Sequence, residues 1–420
     1  MSFQEIQVQF DTGVDRVLVG TLAATEHQVL FEYDPAWVAG GLELAPLHLP
    51  LAQKGFRFEM NRLPDRVPGL FADSLPDGWG TLIMDRYFIR LGVDRKRITP
   101  IDRLAWLGCE AMGALCYQPT LRSEQAQYQA VRIGAAAHEA LQLFEGKLAD
   151  AGILLSRIGG SPGGARPKAL IGIAAGGDDF VSGTGALPEG YTHWLVKFSS
   201  ARKNAVGPFG RYEGVLEQIC LKTAAAAGIT TPESRLIDDG SGLLHFAVRR
   251  FDRPTAVSRR HGATASGLLH ADHRLPSLDY ADLLKLAWTL TQDATQVLEQ
   301  YRRAVFNLFV GNLDDHAKNH GYLMDESGRW HLAPVYDLTF SGEPDGEHWT
   351  SYLGEGSRPG RATLLKLAEA ASIRKPDAVS VIEQVQSAVA LFGHLARELC
   401  LPQSLRRQLE KRLVPTVSPT

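Results

Sequence analysis

The hydrophobic period of the chain changes once, near residue 252, and that change limits the folds open to it. In the front half, short runs alternate apolar and polar residues: IQVQF and RVLVGTL at the start, HWLVKFS and LLHFAVRRF further on. A period of two marks strands with one buried face. In the back half, YADLLKLAWTLTQ and ATQVLEQYRRAVFNLFVG space their apolar residues three and four apart. There Val297, Leu298, Tyr301, Ala304, Val305, Leu308 and Phe309 form one helical stripe. RATLLKLAEAA, AVSVIEQVQSAVALFGHLARELC and SLRRQLEKRL carry the same pattern on. The expected class is therefore α+β, with a β-containing front, a mainly helical back and a seam near 252–255. No internal repeat is visible, and 420 residues correspond to two or three units at roughly 100–200 residues each.

Within the front half, DTGVD between the first two runs predicts a hairpin. LHLPLA at 47–52 reads as a further strand-like run. In FADSLPDGWGTLIMDRYFIRLG, Asp73 or Ser74 is a candidate cap for a helix over LIMDRYFI. A polar stretch at 121–135 reads as a connector. AHEALQLFEGKLADAG predicts a helix ending near Gly152, and SPGGARPKA a glycine-rich loop opening into the strand ALIGIA. YEGVLEQICLKTAAAAG predicts a helix closed by Gly228 ahead of Pro232. RHGATASGLLHADHR, with three histidines, reads as a polar loop. The resulting division is 1–120, 121–252 and 253–420.

Composition excludes more than it identifies. The start lacks a basic segment followed by an apolar one, so no signal peptide is expected. No run of about 18 apolar residues is present, so no membrane helix is expected. A net charge of −3 gives no global attraction to nucleic acid. Cys109, Cys116, Cys220 and Cys400 have no C-x-x-C spacing, and reduced thiols in a cytoplasmic setting are the expectation.

The chemistry concentrates after Gly311, in NLDDHAKNHGYLMDESGRWHLAPVYDLTF. Asp314 and Asn319 are spaced D-x-x-x-x-N. That is the spacing of a protein-kinase catalytic loop, in which the Asp accepts a hydroxyl proton and the Asn holds Mg²⁺. GYLM and WHLAPVY predict a hairpin around DESG, and Asp337 follows it where a kinase places its second Mg²⁺ ligand. An ion that prefers oxygen ligands, phosphate and water is served by such a pair. Lys318 is placed to stabilise charge on a transferred phosphoryl group, and His316 to buttress the loop. Upstream, the backbone of Gly163, Gly164 and Ala165, with Lys168, offers a phosphate-approaching loop, although it satisfies neither a Walker A nor a clean G-x-G-x-x-G pattern. Lys197, read as mid-strand, stands where a kinase lysine contacts phosphates, with Glu217 or Glu213 on the next helix as its partner. Arg250 and Phe251, in FAVRRFDR, belong to a strand and linker whose backbone groups are placed to receive adenine. The cofactors expected are ATP and Mg²⁺.

SPGGARPKA, HWLVK, RRFDR, NLDDHAKNH and APVYDLTF occur in the order found in HipA-type serine/threonine kinases, and FADSLPDGWG resembles that family's N-terminal signature. The resemblance runs from residue 1 to beyond 340. It implies a two-lobed protein-kinase-like fold with a subdomain added ahead of the nucleotide lobe. It further implies that Asp314 is the base, that Asn319 and Asp337 hold Mg²⁺, that Lys197 contacts ATP phosphate and that Glu217 is the helix partner. Ser161 stands where the family carries an autophosphorylated serine; a phosphate there would add about −1.5 to −2 charge where ATP phosphates should sit. Members are toxins of bacterial toxin–antitoxin modules. They phosphorylate aminoacyl-tRNA synthetases and bind a small helix-turn-helix antitoxin of the HipB type, through which they meet DNA. This loop departs from one branch of the family in reading GARPKA, with Pro162 and Pro167 around it.

Other readings follow from single features. His316 and His320 have i,i+4 spacing, but the Glu of H-E-x-x-H and a third zinc ligand are missing. RRQLEKR reads as a solvated helix face. The rivals to a protein kinase are a DNA-bound co-repressor with a spent kinase fold, and a kinase for a small molecule or lipid on the same fold.

Overall fold

The structure is a computed structural model. It describes residues 3–121, 129–148, 152–159, 163–202, 208–340, 346–357, 359–411 and 413. The chain divides into two compact units that do not correspond to a single cut. The first comprises Met1–Arg211, Ile237–Ala263 and Gly267–His270; the second comprises Tyr212–Leu236, Thr264–Ser266 and Ala271–Thr420.

In the first unit, strands Glu5–Asp11 and Arg16–Ala24 form the expected hairpin. Ile6, Val8 and Phe10 point into the core, while Glu5 and Gln7 point out. Strands Gln28–Tyr33, Gly55–Glu59 and Leu115–Gln118 complete a five-stranded antiparallel sheet. Phe31, Tyr33, Phe56 and Phe71 cluster beneath it. LHLPLA is not a strand: residues 47–52 lie in turns, and Pro50 removes a ladder donor from the middle of the run.

In a second sheet of this unit, strands Phe180–Ser182, Lys168–Ala174, Tyr191–Lys197 and Leu244–Arg249 lie side by side in that order. Six consecutive residues of Lys168–Ala174 are buried, which is why that strand shows no alternation. Ile171, Val196 and Ala247 share a core with Ala136, Ala140 and Leu143 of helix Ile133–Phe144 and with Trp79 and Ile83 of helix Gly78–Arg90. Two helix limits differ from expectation. Helix Gly78–Arg90 is entered through Asp77, not Asp73 or Ser74. Helix Ile133–Phe144 stops at Gly146, not Gly152, because Gly146 takes a left-handed φ of 72°.

In the second unit, helix Ala294–Val310 buries Val297, Tyr301, Ala304, Val305, Leu308 and Phe309, and Phe306 and Asn307 as well. It packs against Tyr280–Thr291 and Lys375–Val389, and the latter also packs against Glu213–Ala226. The long helix expected over AVSVIEQVQSAVALFGHLARELC is two helices, Lys375–Val389 and Phe392–Glu398. The Leu391 N–H there bonds three residues back to Ala388, tightening the last turn. RHGATASGLLHADHR is also more ordered than a polar loop, containing a short strand and helix Ala265–Leu269. No described helix is long and apolar enough to cross a membrane.

Candidate functional site

In the second unit, everything at the candidate loop depends on two adjacent aspartates with opposite surroundings. Helix Ala294–Val310 ends at Gly311, whose φ of 64° turns the chain away from the helix. The Asp314 side chain that follows is 62% exposed. The next side chain, Asp315, is fully buried. Its Oδ2 accepts from the Tyr280 hydroxyl at 2.7 Å and lies 2.9 Å from His348 Nδ1; its Oδ1 accepts the Thr350 N–H at 3.1 Å. The Thr350 hydroxyl donates to the Asp315 carbonyl. Asn307 Nδ2 donates to the Tyr280 hydroxyl at 2.8 Å, and Asn312 Nδ2 to Asn307 Oδ1 at 3.1 Å. A carboxylate with three donors around it anchors the loop to the helical core.

His320 completes the anchor. Burial pushes its imidazole down to about 4, so the ring is neutral at pH 7. Its Nε2 lies 3.2 Å from the Asp315 carbonyl, and its Nδ1 lies 3.5 Å from Gln300 Nε2. With both nitrogens engaged inside the core, His320 does not form a zinc site with His316. Among the described residues, the one group of His, Cys, Asp and Glu close enough to share a metal ion lies elsewhere.

With Asp315 turned inward, Asp314 is presented outward at the tip. His316 Nε2 stands 4.0 Å from Asp314 Oδ1. The loop closes through a 3-10 turn, Ala317–Asn319, and Asn319 Nδ2 donates to the Asp314 carbonyl at 2.7 Å. That bond uses the amide donor and leaves Oδ1 as the atom Asn319 can give to a cation. The Tyr336 hydroxyl donates to the Lys318 carbonyl at 2.6 Å, tying the loop to the segment that carries Asp337. A Cβ at Gly321 would approach Tyr336 Cε1 to 2.9 Å, so a larger residue there would push the Tyr336 ring aside. Strands Gly321–Met324 and Trp330–Leu332 form the expected hairpin. Asp337 itself has a φ of 53°, a strained conformation for a residue with a side chain. Oxygen donors from Asn319 and Asp337 suit Mg²⁺, and that chemistry fits the residues present. Glu213 and Glu217 are both buried on helix Glu213–Ala226 of this unit.

In the first unit, the glycine-rich loop expected to approach phosphate is held by the segment PDGWG. The Gly164 N–H donates to Asp77 Oδ2 at 3.0 Å, and the Trp79 N–H donates to the Gly164 carbonyl at 3.1 Å. Trp79 Nε1 donates to the Lys168 carbonyl at 2.8 Å, while Lys168 Nζ donates to the Gly163 carbonyl at 2.6 Å. A Cβ on Gly78 would meet Ala165 Cα at 3.2 Å. Lys197 closes strand Tyr191–Lys197, at its end and not in its middle, directly across the ladder from Lys168. Two ammonium groups on opposed positions repel each other, and an anion near both offsets that repulsion. Lys197 Nζ also stands 6.0 Å over the Phe246 ring.

The Arg250 side chain is buried. Its guanidinium lies against both oxygens of Asp252, at 2.9 and 2.7 Å. Asp252 also pairs with Arg253 and accepts the Gly113 N–H at 2.8 Å. Burial alone would raise the Asp252 carboxyl; Arg250 and Arg253 overcome it and hold the group well below the usual carboxylate range. RRFDR therefore clasps the loop at 111–113, and Phe251 next to it is half-buried. Ser161 lies outside the described residues.

Known proteins resemble both ends of this chain. A family model described as the HipA-like C-terminal domain matches residues 160–392, and one described as the HipA N-terminal domain matches residues 11–118. "Putative kinase Y4dM" of Sinorhizobium fredii is 31% identical over 160 residues, 34% of this chain and 36% of that protein. "Putative kinase Y4mE" of the same organism is 31% identical over 153 residues, 31% of this chain and 34% of that protein. The chain thus matches about a third of the length of these curated relatives. Among solved structures, the Shewanella oneidensis MR-1 toxin–antitoxin complex of HipA, HipB and operator DNA contains a chain similar in fold. The TM-score is 0.71 at 17% identity, covering 97% of this chain and 95% of that one.

Proposed function

The chain belongs to the HipA-like family, and from that premise we propose that it is an ATP- and Mg²⁺-dependent serine/threonine protein kinase, the toxin of a toxin–antitoxin module. The single observation that carries the reading is the divided aspartate pair: Asp315 is locked in the core while Asp314 is presented outward beside a pinned Asn319. An exposed carboxylate on a rigid loop is suited to accept a proton from a hydroxyl as its oxygen attacks the γ-phosphorus of ATP.

The other residues take supporting roles. Asn319 Oδ1 and the Asp337 carboxylate would hold Mg²⁺, which would supply charge neutralisation for the ATP phosphates. Lys197 and Lys168 hold phosphate oxygens in the first unit, with the backbone of Gly163, Gly164 and Ala165 closing over them. Glu217 takes the role that the family resemblance gives to the helix glutamate. Lys318 stabilises the phosphoryl group in transit, and His316 stiffens the tip beside Asp314. The acceptor is a host translation protein of the aminoacyl-tRNA synthetase type. Autophosphorylation at Ser161 switches the enzyme off by placing a phosphate in the nucleotide loop. The partner is a HipB-like helix-turn-helix antitoxin, through which the protein meets DNA. The HipA of the Shewanella complex is assembled with HipB and operator DNA, which supports that expectation.

The test is incubation of the purified protein with host lysate, Mg²⁺ and γ-labelled ATP. Label on a lysate protein with wild type, absent with Asp314→Asn and with EDTA, is the expected outcome. Absence of transfer with wild type, or equal transfer by Asp314→Asn, refutes the reading. Intact-mass measurement of wild type and Ser161→Ala decides the autophosphorylation site.

A further inference from the structure

Away from the kinase residues, the first unit holds a second reactive cluster that the proposed function does not use. Cys109 lies just past helix Pro100–Leu107, and Cys116 lies in strand Leu115–Gln118. The Tyr117 N–H donates to the Gly108 carbonyl at 3.1 Å, bringing the ends of the intervening loop side by side. As a result both sulfurs and a carboxylate oxygen of Asp11 lie within 4.8 Å of one another. Cys109 is half-buried and Cys116 fully buried. Two cations border the group. Arg259 Nη1 donates to Cys116 Sγ at 3.2 Å, to Asp11 Oδ2 at 3.1 Å and to the Cys109 carbonyl at 2.9 Å. Arg16 Nη2 donates to Asp11 Oδ2 at 3.2 Å.

Two readings compete for such a cluster. A metal ion would have to displace two guanidinium groups already paired with Asp11, against their like charge. A thiolate gains from the same surroundings. We propose that Cys109 and Cys116 form a peroxide-sensitive thiol pair, with Cys109 the attacking sulfur and Cys116 the resolving one. The titration behaviour agrees with that division. A hydrogen bond from Cys116 lowers the Cys109 thiol against the cost of burial, with Arg16 and Arg259 adding to it, while Cys116 is pushed up.

The chemistry balances with a hydroperoxide as oxidant. The Cys109 thiolate attacks the peroxide oxygen; the S–O bond forms, the O–O bond breaks and the leaving oxygen takes a proton from water. The Cys116 sulfur then attacks Cys109, the S–S bond forms, and hydroxide leaves with the Cys116 proton as water. Two thiols are oxidised and one peroxide is reduced. The bridge closes a short loop whose carbonyls Arg253 and Arg259 also hold, at Ala111 and Gly113.

The test treats the full chain with substoichiometric hydrogen peroxide, blocks remaining thiols, digests without reductant and maps the peptides by mass spectrometry. Exposed Cys400 serves as the internal reference. The expected result is a dithiothreitol-sensitive link between the Cys109 and Cys116 peptides, formed before Cys400 is oxidised. In Cys116→Ser, a dimedone adduct should instead accumulate on Cys109. Arg259→Gln should slow oxidation of Cys109, through loss of a cation beside the thiol pair. Oxidation of Cys400 ahead of Cys109 overturns the proposal. So does stoichiometric zinc in the purified wild type, lost in Cys109→Ser and protecting both thiols, which would make the cluster a metal site. The wild-type measurement stands even if a variant fails to fold.

Discussion

Replacing Asp315 by asparagine changes almost no volume but removes a charge that three donors surround. In the native protein, Oδ2 serves the Tyr280 hydroxyl and His348 Nδ1, and Oδ1 serves the Thr350 N–H. The amide introduced by Asp315→Asn would have to present its NH₂ to one side. Turned towards Thr350, it orphans one buried backbone N–H, at about 1–3 kcal/mol, and reduces two charge-assisted bonds to neutral ones, at about 1 kcal/mol each. Turned the other way, it opposes two donors. Relief from burying a charge offsets part of this, so a net loss of about 2–4 kcal/mol is expected. Asp314→Asn, one residue away, alters an exposed side chain and should fall within about 0.5 kcal/mol of wild type. Differential scanning calorimetry of both variants, with urea titration for the free-energy difference, reads the contrast. If Asp315→Asn stays within about 1 kcal/mol of wild type, or Asp314→Asn loses as much, the buried carboxylate is not what anchors the loop.

Further outcomes follow from the same geometry. Asp252→Ala leaves Arg250 and Arg253 buried without their carboxylate, and should cost about 3–5 kcal/mol in a denaturant titration; a loss under about 1 kcal/mol would show that water or rearrangement replaces the pair. His193, His261 and His320 are each pushed down to about 4, chiefly by burial. The unfolded chain takes up protons as pH falls through about 6.5, whereas the folded chain does so near 4, so stability is greatest above that upper value and declines below it. Thermal melting should therefore drop steadily from about pH 7 to about pH 5, and a flat profile would contradict it. Asp337→Asn should weaken Mg²⁺-dependent ATP binding at least about tenfold by calorimetry, at the lower end of what perturbing a metal site costs; unchanged affinity removes Asp337 from the metal site.

Much of this molecule is legible without coordinates, and the illegible parts share a cause. The first hairpin, the helices Tyr280–Thr291 and Ala294–Val310 and the hairpin at 321–332 follow from period and turn chemistry, which are local. Asp315 is hidden in the sequence because its neighbour Asp314 carries the recognisable spacing. What separates them is burial against Tyr280, His348 and Thr350, which lie 35, 33 and 35 residues away. The DD pair after a helix end is the available signal, since successive side chains of extended chain point opposite ways. FADSLPDGWG reads as a signature, yet its work of holding Gly164 and Lys168 depends on contacts 87 and 89 residues apart. The pairing of Arg250 with Asp252 is likewise not visible in RRFDR itself, because burial and the loop at 111–113 decide it.

Under the proposed function, Asp314 acts in chemistry and not in architecture. The most direct measurement is a pair of assays on folded Asp314→Asn protein: Mg-ATP affinity by calorimetry and γ-phosphate transfer to protein at saturating ATP. The expected result is affinity close to that of wild type, with transfer reduced by at least about 100-fold, the usual scale of a lost general base. Transfer retained at the wild-type rate, or ATP binding lost together with it, would contradict that role of Asp314.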